Sequence, residues 1–192
     1  MEMRHNRNFI LFLLLVSLFQ FVWTLESSRI GDAVDDSSLR PLPLERVERV
    51  ERAGLPNFFR VSKDLYRGGK PEKKGVLELQ KLGIRTVVSL LNSKAEESLF
   101  RGSGIDYVSI PMSAFFPKRE RFRRFLEIVS DPTRFPVFVH CRYGSDRTGV
   151  AVALYRIKVQ KWTPEEAIHE MVDGGYGFHL IHSDLIRFVR RY

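Results

Sequence analysis

Three short apolar runs do most to limit what this chain can fold into. Thr86 to Leu91, Tyr107 to Met112 and Pro136 to His140 are rich in β-branched or aromatic residues along their whole length. Strands buried on both faces read this way. The stretches between them repeat instead at helical spacing. Val76 to Leu82 reads as a helix closed by Gly83. In Lys118 to Ser130, Phe122, Phe125, Leu126 and Val129 fall at i, i+3, i+4 and i+7, which makes one apolar face. Arg119, Arg121, Arg123 and Arg124 lie opposite, as a solvated face. Thr163-Pro164-Glu165-Glu166 is a capping box with proline at the first helical position, so a helix is expected to about Asp173, stopped by Gly174-Gly175. Ser183 to Arg190 predicts a final helix. The alternation implies an α/β domain with a mostly parallel central sheet of about four to five strands flanked by helices, and ligands beyond the strands' carboxyl ends.

The region before residue 57 has a different character. Arg4, His5 and Arg7 precede a run from Phe9 to Leu25 broken by Ser17, Gln20 and Thr24, which has the regions of an export signal. As a helix it would span about 25 Å, slightly short of a hydrocarbon core of about 30 Å. Residues 1–25 therefore read as a signal peptide, or as a signal anchor with membrane attachment through residues 9–25. Charge before the run keeps the N-terminus cytoplasmic and sends the remainder out. The expectation is an exported protein, periplasmic, lumenal or extracellular, secreted or membrane-anchored. Residues 26–56, rich in Ser, Asp, Pro and charge, read as a flexible linker, including the Glu-Arg-Val repeat within Glu45 to Arg52. The folded domain is expected over residues 57–192.

Composition narrows the chemistry only slightly. A formal net charge of +8 permits anionic partners and selects none. The single cysteine, Cys141, excludes an intramolecular disulfide, so packing alone must hold the fold.

The surroundings of that cysteine are specific. His140-Cys141-Arg142-Tyr143-Gly144-Ser145-Asp146-Arg147-Thr148-Gly149 follows the strand Val137-Phe138-Val139 and runs into a helix from Val150 to Val159. A loop from a strand into a helix N-terminus aims backbone N–H groups and the positive end of the helix dipole at one point, which suits a phosphate dianion. Gly144 allows the backbone to curl inward. A thiol at the start of such a loop is favoured as thiolate by the N–H array and a nearby cation. Arg147 can hold two phosphate oxygens with its planar fork. Thr148 is placed to hydrogen-bond the departing sulfur, and His140 to orient the loop. The candidate catalytic residues are Cys141, Arg147, Asp146, His140 and Thr148. Arg142, Tyr143, Gly144, Ser145, Asp146 and Arg147 are the candidate phosphate-binding residues.

His-Cys, five residues, then Arg-Thr-Gly resembles the signature of the protein-tyrosine and dual-specificity phosphatases. Leu65-Tyr66-Arg67-Gly68-Gly69-Lys70-Pro71, before a helix and a buried strand, resembles the opening of the atypical dual-specificity phosphatases of bacteria, plants and fungi. The likeness covers roughly residues 56 to 190. It implies a dual-specificity phosphatase-like fold and a hydrolase acting through a phosphocysteine, without metal or cofactor. The implied partners are phosphorylated protein, as phosphotyrosine or phosphoserine/threonine, or phosphoinositide. No nucleic-acid partner is implied, and the catalytic domain is expected to be monomeric.

One departure stands out. The family places an aspartate, its general acid, on a loop upstream of the cysteine, but Ile110 to Glu120 contains none. Asp146 is the nearest substitute and resembles the aspartate that myotubularin-type phosphoinositide phosphatases carry at that place; as a helix cap it would have a structural role instead. Glu120 and Asp106 are further candidates. Phe115, Phe116 and Pro117 are expected to rim the pocket. Two alternatives stay open: a rhodanese or arsenate reductase type of thiol enzyme, and a catalytically weak phosphate- or anionic-lipid-binding module.

Overall fold

The computed structural model describes residues 47–93 and 96–192. They belong to a compact unit spanning Glu45–Tyr192. Strands β1 (Glu48–Arg49), β2 (Phe59–Arg60) and β3 (Leu65–Gly68) lead to helix α1 (Lys73–Lys81). Next come β4 (Thr86–Ser89), a 3-10 turn (Glu97–Phe100), β5 (Asp106–Ser109) and α2 (Arg119–Ile128). Strand β6 (Val137–His140) enters α3 (Asp146–Lys158), followed by α4 (Pro164–Asp173) and α5 (Ser183–Arg190).

The strands form one sheet in the order β1-β2-β3-β6-β4-β5. Its four longer members are parallel and the two-residue strands β1 and β2 are added antiparallel. Because side chains alternate along a strand, β6 serves two cores at once. Val137 and Val139 join Val88, Phe122 and Phe125 in a cluster completed by α3, α4 and α5. Phe138 points the other way, to Val87, Leu79, Ile84 and Phe100 beneath α1 and the 3-10 turn. Each fully buried side chain of this size contributes about 1.5–3 kcal/mol, so β6 is a firm base for whatever follows it. Helix α3 is buried from Thr148 through Arg156. Arg156 meets Glu170 with Nε and Nη2 at 2.8 and 2.7 Å and lies over the Trp162 ring. That pairing fixes α4, and with it the segment that leaves α4 toward the carboxyl end of the sheet. The capping box forms as expected: Thr163 Oγ1 accepts from the Glu166 N–H, and Glu166 accepts from the Thr163 N–H.

Three expectations need correction. The sheet has six strands rather than four or five, because β1 and β2 are too short to show periodicity. The presumed linker 26–56 ends inside the folded unit: Glu48 and Arg49 pair with Arg60 and Phe59, and Leu55 is buried. The export reading, secreted or membrane-anchored, finds no support among the described residues, where no helix is long and apolar enough to cross a membrane. The run 9–25 and the rest of residues 1–46 lie outside the described residues.

Candidate active site

Register brings Gly68, His140 and Ser89 side by side at the carboxyl ends of β3, β6 and β4. Cys141 leaves the central strand at this line and is 2% exposed. The next three carbonyls all turn outward, and each finds a different donor. Arg142 O accepts from the Lys70 N–H at 3.1 Å, Tyr143 O from Asn57 Nδ2 at 2.8 Å, and Gly144 O from Arg67 Nη2 at 2.9 Å. With the carbonyls satisfied outside, the N–H groups face in. Those of Arg142 through Thr148 donate to no protein acceptor among the described residues. Convergent, unpartnered N–H groups at a helix N-terminus form an anion cradle.

Gly144 makes the curl possible. Its φ is +79°, and a Cβ there would lie 2.5 Å from the Gly68 carbonyl carbon. The loop is thus seated on the Gly68-Gly69 backbone, which gives the Leu65 to Pro71 motif a physical role.

Arg147 is half-buried and anchored by one nitrogen. Nη1 donates to Leu90 O at 3.1 Å and Met112 O at 3.2 Å, at the ends of the β4 and β5 segments. Its Nε and Nη2 make no protein hydrogen bond among the described residues. Thr148 Oγ1 is fully buried without a protein partner.

His140 lies on the opposite face of β6 from the main cluster. Its Nδ1 is 3.3 Å from Cys141 O, and Nε2 is 3.2 Å from Glu96 Oε1, within ion-pair range though not aligned as a hydrogen bond. Alternation and register explain the company it keeps: Ser89 and Tyr107 share this face, and both donate to the same Glu96 oxygen, at 2.5 and 3.2 Å. Burial opposes ionisation of Glu96, but His140, Ser89 and Tyr107 together outweigh it and hold the carboxyl below its usual value. Burial, with Glu96 adding to it, pushes Tyr107 up to about 12.

Arg67 is a further buried charge. It is 1% exposed and stacks 3.7 Å above the Tyr176 ring. Burial pushes its guanidinium down to about 10, against the opposing influence of Tyr176, Glu170 and Cys141.

Of the expected site residues, Cys141, Gly144, Ser145, Arg147 and Thr148 come together in the cradle. Ser145 Oγ donates to Tyr176 O, so it shapes the loop from outside. The side chains of Arg142 and Tyr143 are exposed and lean on each other, so their contribution to the cradle is backbone. Asp146 is 7% exposed, and its carboxylate faces His179. Asp106 opens β5, at the far end of the strand from the site, and pairs with Arg134 at 2.8 Å. Glu120 is exposed in the first turn of α2. Phe115 and Phe116 are exposed, with Phe115 edge-on to the His182 ring at 4.7 Å.

Sequence reasoning missed Glu96, Arg67, Asn57 and His179 as parts of the site. Arg67 lay within the motif before α1, but the other three stand in loops without a local pattern.

A phosphate cradle with a buried cysteine at its floor and a one-sided arginine at its mouth defines a cysteine-phosphatase type of site. The comparisons agree. Residues 33–178 match the family described as DSP-PTPase phosphatase fused to NAD+ kinase, and the chain belongs to that family. The dual specificity protein phosphatase TpbA of Pseudomonas aeruginosa strain UCBPP-PA14 is 34% identical over 136 residues, 70% of this chain and 62% of TpbA. The chain thus spans less than two thirds of the length of that relative. The crystal structure of P. aeruginosa TpbA superposes with a TM-score of 0.68 at 31% identity, covering 76% of this chain and 89% of that one. The core catalytic domain of the PP-IP phosphatase SIW14 from S. cerevisiae shares the fold, with a TM-score of 0.65 at 22% identity over 74% of this chain and 88% of that one.

Proposed function

We propose that this chain hydrolyses phosphate monoesters through a phosphocysteine on Cys141. The observation that carries the reading is the run of N–H groups from Arg142 to Thr148, without protein acceptors, around a buried thiol. Cys141 sulfur attacks phosphorus while the cradle holds the non-bridging oxygens. Arg147, fixed through Nη1, presents Nε and Nη2 to two of those oxygens as charge spreads over them in the transition state. Thr148 Oγ1, with no other partner, stabilises the sulfur as it departs in the second step. Glu96 fixes His140, which bonds the Cys141 carbonyl and orients the loop.

The substrate reading is phosphotyrosine or phosphoserine/threonine in proteins, or phosphoinositide. A TpbA form has been solved in complex with pTyr, and a rice relative, 30% identical over 121 residues, is named inositol diphosphatase DSP1. The exposed aromatics Phe115, Phe116 and Tyr143 favour the aryl ester. A specific observation supports a second reading, a weakly catalytic phosphate-binding module: Ile110 to Glu120 lacks the aspartate that the family uses to protonate the leaving group.

Turnover of nitrophenyl phosphate by the full chain and its Cys141→Ser variant separates the two. The enzyme reading requires turnover that Cys141→Ser abolishes. Tight phosphate-ester binding with no turnover would establish the module. A panel of phosphopeptides against phosphoinositides then ranks the substrates.

A further inference from the structure

The expected acid loop has no aspartate, yet a histidine reaches the phosphate loop from another direction. The segment leaving α4 is fastened to the phosphate loop at successive points. Tyr176 O accepts from Ser145 Oγ and from Asn57 Nδ2, both at 2.9 Å. Further on, the His179 N–H donates to Asp146 Oδ1 at 2.9 Å. The same residue's imidazole then turns to that carboxylate, with Nδ1 3.1 Å from Oδ1 and 3.0 Å from Oδ2. Both Asp146 oxygens are thus turned to His179. The carboxylate fixes the tautomer of its neighbour. With Nδ1–H on the carboxylate, the exchangeable position of His179 is Nε2. That nitrogen makes no protein hydrogen bond among the described residues, and the side chain is about half exposed, 53%. Asp146 opens helix α3 one residue before Arg147, so the pair is anchored to the end of the phosphate loop. The titratable groups facing the imidazole are Asp146 from α3, Tyr143 from the phosphate loop, its ring 6.2 Å away, and His182 from the same segment, at 6.5 Å.

We propose that His179, oriented by Asp146, is the general acid of the first step and the general base of the second, in place of the missing loop aspartate. The proposal rests on the phosphocysteine reading above. As the sulfur–phosphorus bond forms, the phosphorus–oxygen bond to the leaving group breaks, and its electron pair stays on that oxygen. The oxygen takes the proton from Nε2 of the His179 imidazolium, leaving a neutral ring still bonded to Asp146. In the second step neutral Nε2 removes a proton from water as its oxygen attacks phosphorus. The phosphorus–sulfur pair returns to Cys141, inorganic phosphate leaves, and the imidazolium is restored. Asp146 is a positioning residue in this scheme.

The test is leaving-group dependence in the full chain. His179→Asn should reduce kcat/KM for phenyl phosphate about 100-fold or more, the span typical of a lost general acid, and leave nitrophenyl phosphate within about threefold, because that leaving group needs no proton. Asp146→Asn should show the same split at smaller size. His182→Asn should behave as wild type. Equal rates for His179→Asn and wild type on both esters would overturn the proposal, as would an equal loss on both, which marks a structural role. It is overturned too if His182→Asn carries the split. A wild-type chain inactive on both esters would instead sink the phosphatase reading itself.

Discussion

From Arg142 to Gly144 each carbonyl of the phosphate loop is met by a donor from a distant part of the chain. In the two segments joined by the Phe115–His182 contact, which form an open rim, Phe115, Phe116, Leu180 and Ile181 stand 59, 76, 69 and 80% exposed. The loop is held in its conformation by those three donors. The rim is held at a few points and left open between them. Work on phosphorus needs the first kind of construction, since the non-bridging oxygens are the same in every monoester. Recognition of what carries the phosphate needs the second, and there a proton donor can arrive from a different segment without disturbing the cradle.

Substitutions in the loop should therefore be far more damaging than those in the rim. Arg147→Lys removes a two-pronged contact that strengthens in the transition state and should lower kcat by about 100- to 1000-fold with little change in thermal stability. Steady-state kinetics beside a melting curve checks both halves, and a loss confined to KM would count against the assigned role. Next in size is Gly144→Ala. The positive φ and the 2.5 Å approach to Gly68 predict a stability loss of about 1–3 kcal/mol together with a collapse of activity. Denaturant unfolding and turnover measured on one preparation would show whether the seat on Gly68 matters as described.

Glu96→Gln probes the layer beneath the loop. A carboxyl held below its ordinary value of 4.5 contributes stability that is present above that value and lost as pH falls through the lower folded value. Wild type should exceed the variant by about 1–3 kcal/mol at neutral pH. The gap should close in acid below 4.5. A gap constant down to acid pH would show that the charge on Glu96 does not hold His140. Smallest of all, Phe116→Ser should shift stability by less than about 0.5 kcal/mol. It should leave nitrophenyl phosphate turnover alone and change KM for a phosphopeptide, because the ring is exposed and touches nothing the cradle depends on.

The boundary between legible and illegible follows the same division. The parallel strands β4, β5 and β6, the helix after Cys141 and the Thr163 capping box are written in local patterns of β-branching, helical spacing and capping residues, and they appear where those patterns put them. The cradle was legible because Cys141, Gly144 and Arg147 are close in sequence. Helix α3 begins at Asp146, before the apolar stretch at Val150, since its first turn is formed by the loop itself. Glu96 and His179 were hidden because each reaches the site through tertiary packing: one across the shared face of β4, β5 and β6, the other by way of the Arg156–Glu170 pairing that aims the segment after α4. Strands β1 and β2 were hidden because two residues carry no period.

The central claim is that phosphorus passes through sulfur at residue 141. Acid-quenched mass spectrometry of the full chain during turnover of nitrophenyl phosphate tests it most directly. Phosphate attached to Cys141 in the wild type and absent from Cys141→Ser is the predicted result. Steady turnover with the thiol unmodified throughout, or undiminished turnover by Cys141→Ser, would contradict it.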